Sequence, residues 1–218
     1  VCWSGGYLAV VNDQIKDPAA YDREISFADA KSDIDQAMKT LRSIHPAFIK
    51  GVHENIAAAY EESIRCLEQN DRITVTDVRR EISRIMALLG DGHTSVSYLG
   101  SALYLNDAIT RSGEGWELIE IDGTPIDTVI RQSLSLFSYE SENQAVNTIY
   151  NMTRTSSGLS FLGFDPFDLE MTWTKDGKKE SVKYSADDFA SENVQSAAEG
   201  AHTQTVDAEY AVYGQDAA

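Results

Sequence analysis

Hydrophobic residues between Ser26 and Gly90 recur at steps of three and four, which is the period of an amphipathic α-helix. Three stripes of this kind follow one another with short links between them. Their members are Phe27, Ala30, Ile34, Met38 and Leu41, then Ile56, Tyr60, Ile64 and Leu67, then Val78, Ile82, Ile85 and Leu89. Three amphipathic helices with short links predict a small helical bundle over residues 26–90.

Local signals mark where these helices begin and end. Ser26, with Asp29 three residues later, resembles a capping box at the start of the first helix. His45-Pro46 predicts the stop of that helix, where His45 is expected to pack or to cap. The second helix is expected from about His53. Gly90 follows the third stripe and suits the left-handed residue that closes many helices.

After Gly90 the hydrophobic pattern changes to alternation, which is typical of half-buried strands. Strands are predicted at residues 94–99, 116–121, 169–174 and 180–184, and residues 209–213 predict one more. Asp122-Gly123 is expected to turn the chain. Lys175-Asp176-Gly177-Lys178 is a strong hairpin signal between the strands on either side of it.

Helices are also expected in this second region. Thr124 is predicted to cap a helix that has Pro125 at its first position. The apolar side of that helix consists of Ile126, Val129, Ile130, Leu134 and Phe137. A further short helix is predicted over residues 141–152, and the polar, acidic residues 186–207 predict a linker.

Composition and charge narrow the functional classes. The chain has 218 residues, of which 42% are hydrophobic and 24% charged, as in a soluble globular protein with one core or two small domains. Its 35 acidic and 18 basic residues give a formal net charge of -17. This charge argues against binding of nucleic acid and against adsorption to an anionic membrane. It suits a protein outside the cytoplasm, in an extracellular, periplasmic or cell-surface location.

The start of the chain and the cysteines add little chemistry. The apolar residues 1–11 are too few to span a bilayer, which takes about 20 residues. Residues 1–25 fit either an N-terminal arm or the remnant of a signal peptide or membrane anchor. Cys2 and Cys66 form neither a disulfide framework nor a metal-ligand spacing. No two histidines have the i, i+4 spacing of a helical zinc pair, and Asp91 with His93 would supply only two ligands. No metal and no cofactor are therefore expected.

One segment carries a pattern suited to catalysis. His93 stands between a predicted helix end and a predicted strand, and Gly92 beside it lets the ring stand clear of the backbone. An exposed imidazole titrates near neutral pH and can act as a general base. A histidine in such a turn also occurs as a purely structural residue. Asp91 is expected to brace the turn through its own backbone amides.

The run Leu89-Gly90-Asp91-Gly92-His93-Thr94, at the end of a helical region, resembles the catalytic-histidine segment of the C-terminal-processing (tail-specific) serine peptidases. The resemblance is greatest to the branch with the tricorn-like proteases and the interphotoreceptor retinoid-binding protein repeats. The helix ending in His45-Pro46 agrees with it. So do residues 116–126, which are similar to the Ile-Asn-Gly-Thr-Pro-Ile run of PDZ-like domains, with Asp122 in place of Asn. The resemblance covers residues 26–185.

The resemblance implies an α+β chain from a serine peptidase that cleaves extended or unfolded polypeptides. It implies a three-helix bundle (26–90), a histidine turn and strand (91–105), a degenerate PDZ-like α/β domain (106–185), and a linker with the first strand of a truncated catalytic domain (186–218). His93 would activate a serine of that missing domain, a carboxylate would orient the ring, and backbone amides would bind the oxyanion. The chain alone is therefore expected to be inactive.

Alternatives stay open at this point. Ser196 and Glu199 superficially resemble the family's nucleophile run, but they lie in the predicted linker, where no buried strand aims a hydroxyl. The PDZ-like segment is either a structural lid or a peptide-binding module. The nearest candidate for a carboxylate-binding loop is residues 111–115, where Glu114 would repel a carboxylate. The alternative function for the whole chain is a non-catalytic peptide- or ligand-binding module, or a surface interaction protein.

Overall fold

The first region folds into the three helices that its stripes predict. The computed structural model describes residues 22–49, 51–96 and 103–191. The first helices are α1 Phe27–Ile44, α2 Glu54–Glu68 and α3 Val75–Ala87, and a 3-10 helix Pro46–Phe48 lies between α1 and α2. Their inward faces form one hydrophobic cluster. Its buried members are Ala30, Ile34, Met38, Leu41, Phe48, Ile56, Leu67, Ile73, Val78 and Ile85.

Side-chain caps fix the starts of α1 and α3. Ser26 Oγ accepts the amide hydrogen of Asp29 at 3.1 Å, as predicted. The Asp29 carboxylate accepts from the Ser26 hydroxyl at 2.7 Å, so only half of a capping box forms there. The full reciprocal box lies at the start of α3, between Thr74 and Asp77. After α3, Gly90 has a φ of +61°, the left-handed conformation expected of it.

Residues 103–191 combine short helices with two antiparallel sheets. The helices are α4 Asn106–Gly113, α5 Ile126–Ser133, α6 Glu142–Met152 and α7 Ser156–Leu162, with a 3-10 helix Leu134–Leu136 after α5. The strands are β1 Tyr104–Leu105, β2 Glu117–Ile121, β3 Thr124–Pro125, β4 Asp168–Lys175, β5 Lys178–Ser185 and β6 Phe189–Ala190. The larger sheet has the order β3-β2-β4-β5, and β1 pairs with β6. The described residues thus form a mixed α/β fold.

Two tight turns shape the larger sheet, and both are predicted by the sequence. Asp122 and Gly123, between β2 and β3, have φ values of 46° and +74°. Asp176 and Gly177, between β4 and β5, have φ values of 51° and +77°. Positive φ at both central residues defines a type I′ turn, whose twist matches that of paired strands. The hairpin prediction at residues 175–178 is therefore confirmed.

The second core lies between the larger sheet and its helices. Alternate residues of β4, namely Leu169, Met171 and Trp173, point inward and are almost completely buried. They share one cluster with residues of the other elements. Its further buried members are Leu105, Ala108, Leu118, Ile121, Ile126, Val129, Leu159 and Tyr184.

The start of α5 differs from the prediction. Thr124 does not cap the helix, because it pairs with Ile121 across the Asp122-Gly123 turn. A two-residue turn returns the chain directly alongside β2, so Thr124 and Pro125 are drawn into the sheet. Pro125 consequently occupies the cap position instead of the first helical position. The regular helix also ends earlier than its stripe predicts, at Ser133.

The predicted strand at 94–99 and the predicted linker also differ from the structure. Residues 94–96 form no strand, and residues 97–99 lie outside the described residues. Part of the linker is structured: Asp188 closes a capping box with Ser185 on a 3-10 helix, and β6 then pairs with β1. Asp188 is one of the acidic residues that predicted a linker, and in the structure it caps a helix. Residues 1–21 and 192–218, including the predicted strand at 209–213, lie outside the described residues.

The two regions meet along α3. This helix contacts α7 and the 3-10 helix that follows α5. The Arg79 guanidinium carbon lies 5.1 Å from the centroid of the Phe161 ring, a cation–π distance. Among the described residues, no helix combines the length and the apolar character that crossing a bilayer requires.

Candidate functional site

His93 lies on a turn that directly follows α3. Its side chain is 87% exposed. The ring nitrogen Nε2 lies 3.5 Å from Oε1 of Glu140, which is itself an exposed side chain. Hydrogen bonds from N–H to oxygen measure about 2.7–3.2 Å, and ion pairs this exposed contribute little. The imidazole is therefore open to a further partner.

Asp91 holds this turn in shape. Its Oδ1 accepts the backbone amide hydrogen of His93 at 2.9 Å, and its Oδ2 accepts the Thr94 hydroxyl at 2.8 Å. The Thr94 amide donates to the Asp91 carbonyl at 3.0 Å. The prediction that Asp91 braces the turn through backbone amides is confirmed, and the Thr94 hydroxyl is an addition to it.

His45 connects the end of α1 to the same carboxylate. Its Nδ1 accepts the Ala47 amide at 3.2 Å, so the expected capping role is confirmed. Its Nε2 lies 3.1 Å from Asp91 Oδ2. Because Nδ1 acts as an acceptor, the proton of the neutral ring is on Nε2 and is donated to Asp91. The cap thereby becomes an anchor for the turn.

The second region supports the turn from the other side. Ser138 Oγ accepts the Asp91 amide at 2.8 Å and donates to the Asp91 carbonyl. A β-carbon on Gly92 would lie 3.0 Å from Cγ and 3.3 Å from the amide nitrogen of Glu140, so glycine permits this close approach. Ser138 and Glu140 were not identifiable from the sequence, because the link between α5 and α6 has no periodic pattern.

These contacts keep Asp91 ionised. They lower its pKa from an ordinary 3.8 to about 2. The backbone amide of His93 has the largest effect, followed by the Thr94 hydroxyl and the His45 ring. Both carboxylate oxygens already accept hydrogen bonds, so Asp91 acts as a support for the turn. Within residues 22–49, 51–96 and 103–191, no three acidic, histidine or cysteine side chains group as a metal site requires.

In the part of the chain that the structure describes, the His93 imidazole has no nucleophile beside it. The Thr94 hydroxyl is donated to Asp91, and in the described part of the chain no serine or threonine hydroxyl is hydrogen-bonded to the His93 ring. Ser196 and Glu199 of the linker run, and Cys2, lie outside the described residues.

Cys66 is a poor alternative nucleophile. It is a free, half-buried thiol on α2. Burial raises its pKa, and the neighbouring carboxylates of Glu81 and Glu62 raise it further. A thiol with a raised pKa stays protonated, and the thiolate is the reactive form.

The candidate carboxylate-binding loop at residues 111–115 is the closed end of α4. The Trp116 amide donates to the Arg111 carbonyl at 3.0 Å, which is the six-residue bond of a Schellman motif. The Arg111 guanidinium is paired with Asp107 and Glu180 at 2.7 and 2.8 Å. These ion pairs occupy the Arg111 side-chain donors, and binding of a peptide carboxylate by this loop stays a hypothesis.

The resemblance to the C-terminal-processing peptidases has only the sequence motifs behind it. It rests on residues 89–94, on His45-Pro46 and on residues 116–126. The described geometry adds an exposed His93 ring on a turn that Asp91 holds. No protein-family model, no curated protein and no solved structure matches this chain.

Proposed function

We propose that this chain is the part of an extracytoplasmic serine peptidase that supplies the general base, and that His93 is this base. The observation that carries the proposal is an exposed imidazole on a turn that an ionised carboxylate fixes in place. A general base needs access to the reacting group and a defined position. Exposure gives the His93 ring the first, and the contacts of Asp91 fix the backbone from which the ring projects.

In the proposed reaction, a serine in a domain after the PDZ-like segment is the nucleophile. His93 takes the hydroxyl proton as the serine oxygen bonds to the scissile carbonyl carbon. The imidazolium then gives that proton to the leaving amine as the C–N bond breaks, and an acyl-enzyme remains. Water loses a proton to His93 and attacks the acyl carbon, and the serine oxygen leaves and regains the proton.

We also propose that residues 106–185 form a degenerate PDZ-like domain next to this base. The support is local. The Ile-Asp-Gly-Thr-Pro-Ile run ends strand β2, turns at Asp122-Gly123 and enters α5 at Ile126. A β-hairpin, β4 with β5, completes the sheet.

The proposal is tested in the intact protein with an extended fluorogenic peptide substrate. His93→Ala is expected to lower kcat/KM by about 10²–10⁴-fold, the usual contribution of general acid–base catalysis. His53→Ala is the matched control, because it removes another exposed imidazole, at the start of α2. Turnover close to that of the wild type in His93→Ala would overturn the assignment. The thermal unfolding midpoint of His93→Ala should equal that of the wild type, since the His93 side chain is 87% exposed.

A non-catalytic peptide-binding module is the second candidate, and strand β5 favours it. This eight-residue strand lies at the edge of the larger sheet. A free edge can accept an extended peptide as an additional strand. Lys178, Lys179 and Lys183 discourage pairing of such an edge with another copy and would favour an acidic peptide.

Two measurements separate these candidates. Calorimetry of the chain with an extended acidic peptide tests the module, and saturable binding without hydrolysis by the intact protein supports it. Labelling of the intact protein by a serine-reactive fluorophosphonate, lost in His93→Ala and kept in His53→Ala, supports the peptidase.

A further inference from the structure

A second site lies away from His93, where the start of α3 faces the segment after α7. A cleft of about 680 Å³ opens there. Arg80 contributes to one wall, and Ser160, Phe164 and Phe167 contribute to the other. It therefore combines a cation and a hydroxyl with aromatic surface.

Arg80 lies against the backbone of the opposite wall. A β-carbon on Gly163 would be 3.2 Å from its Nη1 atom. Gly163 is the left-handed residue that ends α7, with a φ of 97°. Among the described residues, no carboxylate lies within ion-pair distance of the Arg80 guanidinium. This is notable in a chain with 35 acidic and 18 basic residues.

The acidic side chains of the cleft are bound to their own walls. Asp22 Oδ1 accepts the Thr76 amide at 2.9 Å. Asp165 Oδ1 accepts the Phe167 amide, also at 2.9 Å. Asp77, the third acid, belongs to the capping box of α3. Each carboxylate is thus held by backbone donors, and the Arg80 donors remain for a ligand.

We propose that this cleft binds a carboxylate that carries an apolar side group. The carboxylate accepts hydrogen bonds from the Arg80 guanidinium, whose planar fork matches two carboxylate oxygens, and the Ser160 hydroxyl lies in the opposite wall. The apolar group packs on Phe164 and Phe167. The carboxylate belongs either to a small organic acid or to the C-terminus of a peptide. This site does not depend on the role proposed for His93.

The test compares N-acetyl-phenylalanine with its uncharged amide in calorimetric titrations of the 218-residue chain. The acid is expected to bind with a dissociation constant in the millimolar range, and the amide at least about tenfold more weakly, as expected for a charge-assisted bidentate pair. Arg80→Gln should reduce affinity for the acid to that for the amide. Arg131→Gln, which makes the same charge change on α5 outside the cleft, should bind the acid as the wild type does.

Two further measurements complete the test. One identifies the source of the carboxylate, and the other uses a second variant in case the first does not fold. If Ala-Ala-Ala-Phe with a free C-terminus binds more tightly than N-acetyl-phenylalanine, the ligand is a peptide end; equal affinity indicates a small acid. Arg80→Lys keeps the charge and loses the fork, so an intermediate affinity is expected, and it carries the test if Arg80→Gln does not fold. Equal binding of acid and amide, or unchanged affinity in a folded Arg80→Gln, overturns the proposal, as does the absence of binding.

Discussion

Helices α1, α2 and α3 are 18, 15 and 13 residues long, whereas those of residues 103–191 are 8, 8, 11 and 7 residues long. Isolated helices shorter than about 12–15 residues are marginal in water. We therefore expect folding of the first region to begin with its own helices. Folding of the second region depends on the core that its sheet provides. Buried side chains of α4, α5 and α7 belong to the same cluster as those of β4, and this packing stabilises the three short helices.

The two regions also differ in how far apart along the sequence their core residues lie. In the helical region, one face of each helix is repeated along the sequence, so neighbours along the chain share a core. In the second region, buried partners such as Leu105 and Tyr184 are far apart along the chain. Its stability should respond most strongly to changes at the centre of the sheet.

The largest expected effect is at Trp173, which is 1% exposed. Trp173→Ala should lower the free energy of unfolding by about 3–5 kcal/mol, and Ile34→Ala in the helical core by about 2–5 kcal/mol. Ile49→Ala, at an exposed position, is the control. Urea denaturation followed by circular dichroism measures all three. Because α3 packs on both regions, one shared transition is expected, and separate transitions would mean that each region unfolds independently.

The next effect concerns backbone packing in the second region. A β-carbon on Gly158 would lie 2.1 Å from the Met152 carbonyl oxygen, so Gly158→Ala must shift α6 against α7. We expect a destabilisation at the upper end of about 1–3 kcal/mol. Gly113→Ala meets nothing within 4 Å and should be neutral or stabilising. Equal unfolding free energies for the two variants would contradict the tight packing of these helices.

The smallest effect on stability is expected for substitution of Asp91, which lies at the junction of the two regions. The pKa of Asp91 is lowered to about 2, so the ionised carboxylate stabilises the folded state above its ordinary pKa of 3.8. That contribution is lost as pH falls through about 2. Asp91→Asn should therefore lower the thermal midpoint at neutral pH, and its difference from the wild type should disappear in strong acid. A difference that is the same at every pH would show that the carboxylate charge does not matter.

The sequence predicted the helical region well, because a single period determines which side chains are buried. Ala30, Ile34, Met38 and Leu41 recur in register, and the structure buries all four. The type I′ turns were equally predictable, since Asp-Gly is one of the few pairs that accept positive φ at both positions.

Short elements were less predictable. α4 and α7 span only two turns each, which is too short for a period to show. The two-residue strand β1 depends on partners that are distant in the sequence, namely β6 and Thr155. At the candidate site, His93 and Asp91 could be identified from the sequence, because they lie in a glycine-flanked turn after a predicted helix. The contribution of Ser138 depends on tertiary packing, which no local pattern encodes.

The support of the histidine turn has a consequence for protein engineering. Asp91 is held by His45, which lies 46 residues before it, and by Ser138, which lies 47 residues after it. A graft of the six-residue run onto another helical hairpin would leave both of these supports behind. To transplant the exposed histidine in its present orientation, a designer would have to move three separate segments together with the spacing between them.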